Sequence, residues 1–261
     1  MHLPKIKTAA YLSRAFKFTA LLLLVLHGLT AGAQNIKVAI AANLQPVMKD
    51  LQKDFKKQTG IDVDAISGPS GGLTTQIKNG APFDVFLSAD TDFPRELFKS
   101  GFAGKKPVVY AKGVLIICSA QKIDFTSWAK LLPTAAIKKI AIGNPAIAPY
   151  GKAAAETLNK AGIYETVKPK IVLGESITQV NTYIVTGVVQ AAFTTLSLVK
   201  DANNKTPLYW KIIDPKTYSP IEQGMVLLKH AEHNTQAEKF YSYILSSSAK
   251  KIFIKYGYQV K

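Results

Sequence analysis

Short apolar strands alternate with one-sided helices along most of this 261-residue chain, and that alternation is the strongest constraint on its fold. The run 36–41 (IKVAIA) is apolar and rich in β-branched residues, the mark of a buried strand. Residues 44–59 place Leu44, Val47, Met48, Leu51 and Phe55 on one helical face, and Gly60 ends the pattern. Further strands are read at 61–66, 84–87, 114–118, 140–142, 171–173, 191–193 and 225–228. Further helices are read at 73–79, 92–100, 150–161, 176–186, 235–246 and 248–256. This order implies an α/β fold of mainly parallel sheets flanked by helices. Two units are expected, one from 34–115 completed by 223–261, the other from 116–222. Two lobes joined by two crossings would leave a cleft between them. Ligands of open α/β sheets sit beyond the carboxyl ends of the strands, and domain interfaces favour pockets.

Residues 1–33 stand outside this pattern. Lys5, Lys7, Arg14 and Lys17 open the chain without a single acid, an apolar run follows over 18–29, and Ala31-Gly32-Ala33 supplies small residues. That is the plan of a secretory signal peptide cleaved before Gln34, so the mature chain is expected in the periplasm. The whole chain carries 33 Lys+Arg against 17 Asp+Glu, a net +16. Without the four bases of the segment, 29 stand against 17, or +12. Arg95 is then the one arginine, and the lysines are dispersed. Nucleic-acid grooves favour the planar arginine fork, so no nucleic-acid partner is expected. The charge reads instead as a solvated surface that keeps the protein soluble, a monomer being expected, and steers anions.

Several chemistries lack their residues. Beyond the segment the histidines are His230 and His233, close together after a strand and without a third metal ligand. They do not make a metal centre, and a Ser–His–acid triad has no histidine elsewhere to use. Cys118 lies inside the apolar run 114–118 and reads as a buried, inert thiol. The loop Gly68-Pro69-Ser70-Gly71-Gly72 lacks the Lys-Ser/Thr ending of a nucleotide-binding loop. No enzyme activity and no cofactor are expected.

Four strand-to-helix junctions carry the positive signal. Ala41-Ala42-Asn43-Leu44 ends the first strand, with Asn43 read as an N-cap and Pro46 in the first turn. Ser70 is read as the next N-cap. Ala148-Pro149-Tyr150-Gly151 opens the third helix start, and Ser176 with Gln179 fits a capping box at the fourth. Each helix start presents free N–H donors and a partial positive charge, which suits an anion.

At these junctions the chain resembles the periplasmic molybdate-binding proteins of ABC importers, the ModA type. The resemblance is carried by Ala41–Leu44, SGPSGGLTTQI over 67–77, NGAPFDVFLSAD over 79–90, IGNPAIAPYG over 142–151 and AKKIFIKYG over 249–257. It implies a type II periplasmic binding protein whose two lobes close over a tetrahedral oxyanion. It also implies delivery of molybdate or tungstate to a membrane ABC permease with its cytoplasmic ATPase. Molybdenum or tungsten would then enter only as the bound oxyanion. The ligand positions of the family fall on Asn43 and Ser70 in one lobe and on Tyr150 and Ile177 in the other, the last two through backbone N–H. Ala42 would be a further backbone contact. Where many relatives carry a tyrosine hydroxyl, this chain has Thr195, a shorter donor. Rival readings are the same fold holding sulfate, phosphate or another small ligand, a secreted serine hydrolase using Ser70, and a basic surface-interaction protein.

Overall fold

The structure is a computed structural model and describes residues 35–260. The expected signal segment, 1–33, lies outside them. β1 (Ile36–Ala41) runs into a 3-10 turn, Ala42–Leu44, and helix α1 (Gln45–Thr59). β2 (Val63–Gly68), α2 (Ser70–Lys78), β3 (Val85–Leu87), α3 (Asp92–Lys99) and β4 (Val108–Lys112) follow. β5 (Leu115–Ser119), α4 (Trp128–Leu131), β6 (Ile140–Gly143), α5 (Pro149–Lys160) and α6 (Tyr164–Val167) come next. They lead to β7 (Ile171–Gly174), α7 (Ile177–Val185), β8 (Ala191–Thr195), α8 (Leu196–Lys200) and β9 (Tyr209–Ile212). The chain closes with β10 (Glu222–Leu227), α9 (Thr235–Ile244) and α10 (Ser247–Lys255).

Two five-stranded sheets result, ordered β2-β1-β3-β10-β4 and β7-β6-β8-β5-β9. The chain passes between them after β4 and again before β10. Both sheets are mixed. β1 pairs in parallel with β2 and β3, and β6 with β7 and β8. β10 and β5 run antiparallel to their neighbours. The parallel parts therefore coincide with the strand–helix alternation, and their carboxyl ends carry the four junctions. β4 and β9 are not evident from periodicity. Both are edge strands with exposed Val108, Val109, Tyr209, Trp210 and Ile212, so neither shows a clean buried pattern.

The lobes owe their solidity to apolar stripes. α1 buries Val47, Met48, Leu51 and Phe55. The Phe55 ring lies 5.2 Å from that of Phe240 and 5.1 Å from that of Tyr243, which binds α9 to the first lobe. All five residues of β5 are buried, Cys118 among them, and burial pushes its thiol up to about 12. That thiol stays protonated at neutral pH, which is the inert state expected of it.

α10 and α9 are also stapled to α1 by a carboxylate. Asp54 Oδ2 accepts from Ser248 Oγ at 2.6 Å, Gln58 Nε2 at 2.8 Å and Tyr243 OH at 2.9 Å. The Ser248 hydroxyl, ahead of those of Tyr243 and the Gln58 amide, holds the carboxyl below its ordinary value. A lowered value in the folded state means stability that is present above the unfolded carboxyl value of about 3.9 and lost as the pH falls through the folded one. Asp54→Asn is thus expected to melt below the wild type at pH 7. The gap should close below about pH 4 in melts run across the acid range.

Candidate functional site

The four junctions meet at one small cavity between the lobes. Its wall on one side is Ala41 at the end of β1, Ala42 and Asn43 after it, Pro69 and Ser70 after β2, and Ala89; on the other it is Ala148, Pro149, Tyr150 and Ile177. Its volume is about 10 Å³, room for about one water-sized body. Among the described residues, no ionised side chain lines it. A neighbouring cleft of about 270 Å³ is roomier, but Asp90, Asp92, Glu156 and Glu222 face Lys152 there, a balance hostile to an anion.

Backbone geometry makes the small cavity a donor site. Ser70 and Ile177 are the first residues of α2 and α7, and Tyr150 is the second of α5. N–H groups of a first turn have no partner in their own helix, and the positive end of each helix dipole points the same way. Ser70 is not the cap that its spacing suggests. Pro69 holds that position, while Ser70 Oγ accepts from Ala89 N at 3.1 Å. That bond leaves the hydroxyl proton to be donated elsewhere. Ser176 does cap α7, accepting from Gln179 N at 3.3 Å. The return arm goes to Glu175 N, not to Ser176 N, because Gln179 Oε1 takes it at 2.7 Å.

Asn43 also departs from the capping role. It sits inside the 3-10 turn, and its amide nitrogen donates to Gln223 Oε1 at 2.8 Å and Tyr258 OH at 3.0 Å. Its amide nitrogen is thereby committed to a buried network, while Oδ1 is buried without a hydrogen-bond partner among the described residues. The Tyr150 side chain is turned away. Its hydroxyl packs on Gly113 at the first crossing, where a β-carbon would fall 2.0 Å from that oxygen. Burial pushes the Tyr150 hydroxyl well above its ordinary value, so it stays neutral. Thr195 does not line the cavity. It caps α8 by accepting from Leu198 N at 3.3 Å and pairs with Ser197 Oγ at 2.7 Å.

The lobes touch around the cavity. Gly71 N donates to Ile147 O at 3.1 Å, Thr178 Oγ1 to Gln45 Oε1 at 2.9 Å, and Lys152 approaches Asp92 at 3.6 Å. Gln223, Tyr258 and Ser197 join the site's support without a motif to announce them. Gln223 leaves one trace, a fully buried glutamine inside the apolar strand β10. His230 lies 3.7 Å from Asp84, and neither it nor His233 lines the cavity, so among the described residues no imidazole stands beside Ser70 there. No group of three metal-ligating side chains occurs among the described residues.

Asp90, next to the cavity-lining Ala89, is the charge to watch. Burial raises its carboxyl above the ordinary value, although Phe93 N and Ser88 Oγ both donate to Oδ1. A raised folded value disfavours the ionised form, so the residue is a standing cost at neutral pH that fades on acidification. Asp90→Asn keeps the acceptor and removes the charge. It is expected to melt above the wild type at pH 7, with the advantage shrinking as the pH falls toward about 4.

Comparison with known proteins agrees with this architecture. The family model described as bacterial extracellular solute-binding protein matches residues 36–259. The molybdate-binding protein ModA of Azotobacter vinelandii is 38% identical over 87% of this chain and 91% of its own length. ModA of Rhodobacter capsulatus is 36% identical over 92% of this chain and 94% of its own length. The solved periplasmic molybdate-binding protein of Azotobacter vinelandii superposes with a TM-score of 0.82 at 33% identity, covering 87% of this chain and all of that one. With a match that spans both lobes, the chain belongs to the bacterial extracellular solute-binding protein family.

Proposed function

We propose that the protein is an extracytoplasmic receptor for a tetrahedral oxyanion, molybdate with tungstate beside it, and that it delivers this cargo to the permease of an ABC importer. The convergence of Ala42, Asn43, Ser70, Tyr150 and Ile177 from two lobes on one cavity carries the reading. Relatives that bind molybdate, at 38% and 36% identity, support the choice of anion. The groups offered are a hydroxyl and backbone amides at helix starts, with no ionised side chain. Such donors suit an anion that has shed its protons, because hydrogen phosphate needs an acceptor in return. They also act strongly where water is excluded. The protein is a binding component and not a catalyst in this reading, and Ser70 serves as a donor.

Size then separates the candidates. A tetrahedral oxyanion exceeds a cavity of about 10 Å³, so the two walls stand slightly further apart around it. Molybdate and tungstate demand nearly the same separation, and sulfate less. Closure of the lobes over the cargo is the change a permease would read, since it favours one domain arrangement. Calorimetric titration with molybdate, tungstate, sulfate and phosphate, with melts alongside, tests this. Molybdate at 100 times its Kd is expected to add about 2.7 kcal/mol of stability. No heat and no melt shift with either molybdate or tungstate, in ligand-free protein, would overturn the reading.

A further inference from the structure

We infer that Ser197 is a positioning residue of the closed receptor, a latch from one lobe onto the Asn43 turn of the other. The inference rests on the oxyanion reading, because Ala42 and Asn43 of that turn line the cavity. The Asn43 carbonyl accepts two hydrogen bonds, from Tyr258 OH at 2.7 Å and from Ser197 Oγ at 3.1 Å. Tyr258 belongs to the same lobe, where the adjoining Gln259 bridges to Lys112. Ser197 stands in α8, directly after β8 of the other sheet.

The proton directions follow from elementary bookkeeping. A carbonyl can only accept, so both hydroxyls donate to it. Tyr258 then receives the Asn43 amide proton on its own oxygen at 3.0 Å. Ser197, with its proton spent, receives one from Thr195 Oγ1 at 2.7 Å, and Thr195 receives the Leu198 N–H at 3.3 Å. One directed chain thus runs from the start of α8 to the Asn43 peptide. Asn43, Ser197 and Thr195 are all buried, where an unmade bond is costly. α8 buries Leu196 and Leu198 in the core of the second lobe, so in this proposal parting of the lobes draws it away from the Asn43 turn. The Ser197 bond then breaks and the Tyr258 bond holds. Ser197 therefore acts on the closed arrangement alone, and its contribution belongs to the rate of release.

Dissociation of molybdate, followed by stopped flow, tests the latch. Ser197→Ala is expected to release it roughly three- to tenfold faster, the range for one hydrogen bond, with the association rate unchanged. The ligand-free melt should fall less than the molybdate-loaded one, whereas Tyr258→Phe should lower both alike, since the Tyr258 bond exists in both arrangements. Thr195→Val, which removes the donor behind Ser197 along with the cap of α8, should give a smaller increase. An unchanged off-rate in Ser197→Ala, or a loss of ligand-free stability equal to the bound loss, would overturn the inference. Spin labels at the exposed positions Lys49→Cys and Glu175→Cys report the distance across the cleft mouth, Cys118 being buried. Absence of wild-type binding would fail the oxyanion reading alone. The label distances would still decide the latch: fewer closed molecules in ligand-free Ser197→Ala support it, and an identical distribution overturns it.

Discussion

Ser70→Ala is expected to weaken molybdate binding by about 1.5–3 kcal/mol, the range for a hydrogen bond to a charged group, or roughly 10- to 150-fold in Kd. The Ser70 hydroxyl oxygen is held by the Ala89 amide at 3.1 Å, so a bound anion is expected to meet it already in place. A side chain held in advance loses little freedom on binding, which is why one small group is expected to carry so much. Alanine suits the first turn of α2, so the helix is expected to form normally. The variant does orphan the Ala89 N–H, and a modest drop in melting temperature should accompany the loss of affinity. Calorimetry on the folded variant separates the two effects. Unchanged affinity would remove Ser70 from the site.

The second large effect is expected at Gly151, which binds nothing through a side chain. A β-carbon there would fall 2.0 Å from the Gly143 carbonyl oxygen and 2.4 Å from its carbon. Both are backbone atoms at the end of β6, so no rotamer change relieves the contact. Gly151→Ala must push the start of α5 off the sheet. Overpacking of this kind costs about 3 kcal/mol. For a domain of this size that is a melting drop of roughly 6–12 °C. The same displacement carries the Tyr150 amide away from the cavity, so anion affinity should fall as well. Gly143→Ala is the milder control, because its β-carbon would stop 3.0 Å from the Ala148 methyl group. A variant at Gly151 with wild-type melting and affinity would mean that the close approach is not a requirement of the site.

The alternating elements and the four junctions are legible in the sequence because both are local. An apolar run, a one-sided helix and a Gly or Ser at a strand end are each written within about ten residues. The strand ends alone therefore group Asn43, Ser70, Tyr150 and Ile177, and the cavity brings those four together. What the side chains do there is not legible. Asn43 has the spacing of a cap, yet its amide answers Gln223 and Tyr258, 180 and 215 positions away. No local pattern encodes such partners. Thr195 stands where a ligand donor is expected, and its hydroxyl instead closes the start of α8, a five-residue helix too short to show a period. The edge strands β4 and β9 escape for the opposite reason, since solvent on one side removes the contrast that marks a buried strand.

The bond between Asn43 and Tyr258 spans 215 positions, which sets an order of events. The turn that faces the anion is made near the beginning of the described chain, and its support is made near the end. A chain that emerges amino end first has its turn before its support. Such a chain has no finished site, however well the second lobe has formed. Long-range closure of this kind is slow compared with helix formation. The turn that lines the cavity thus gains its buried support only once the end of the described chain is in place.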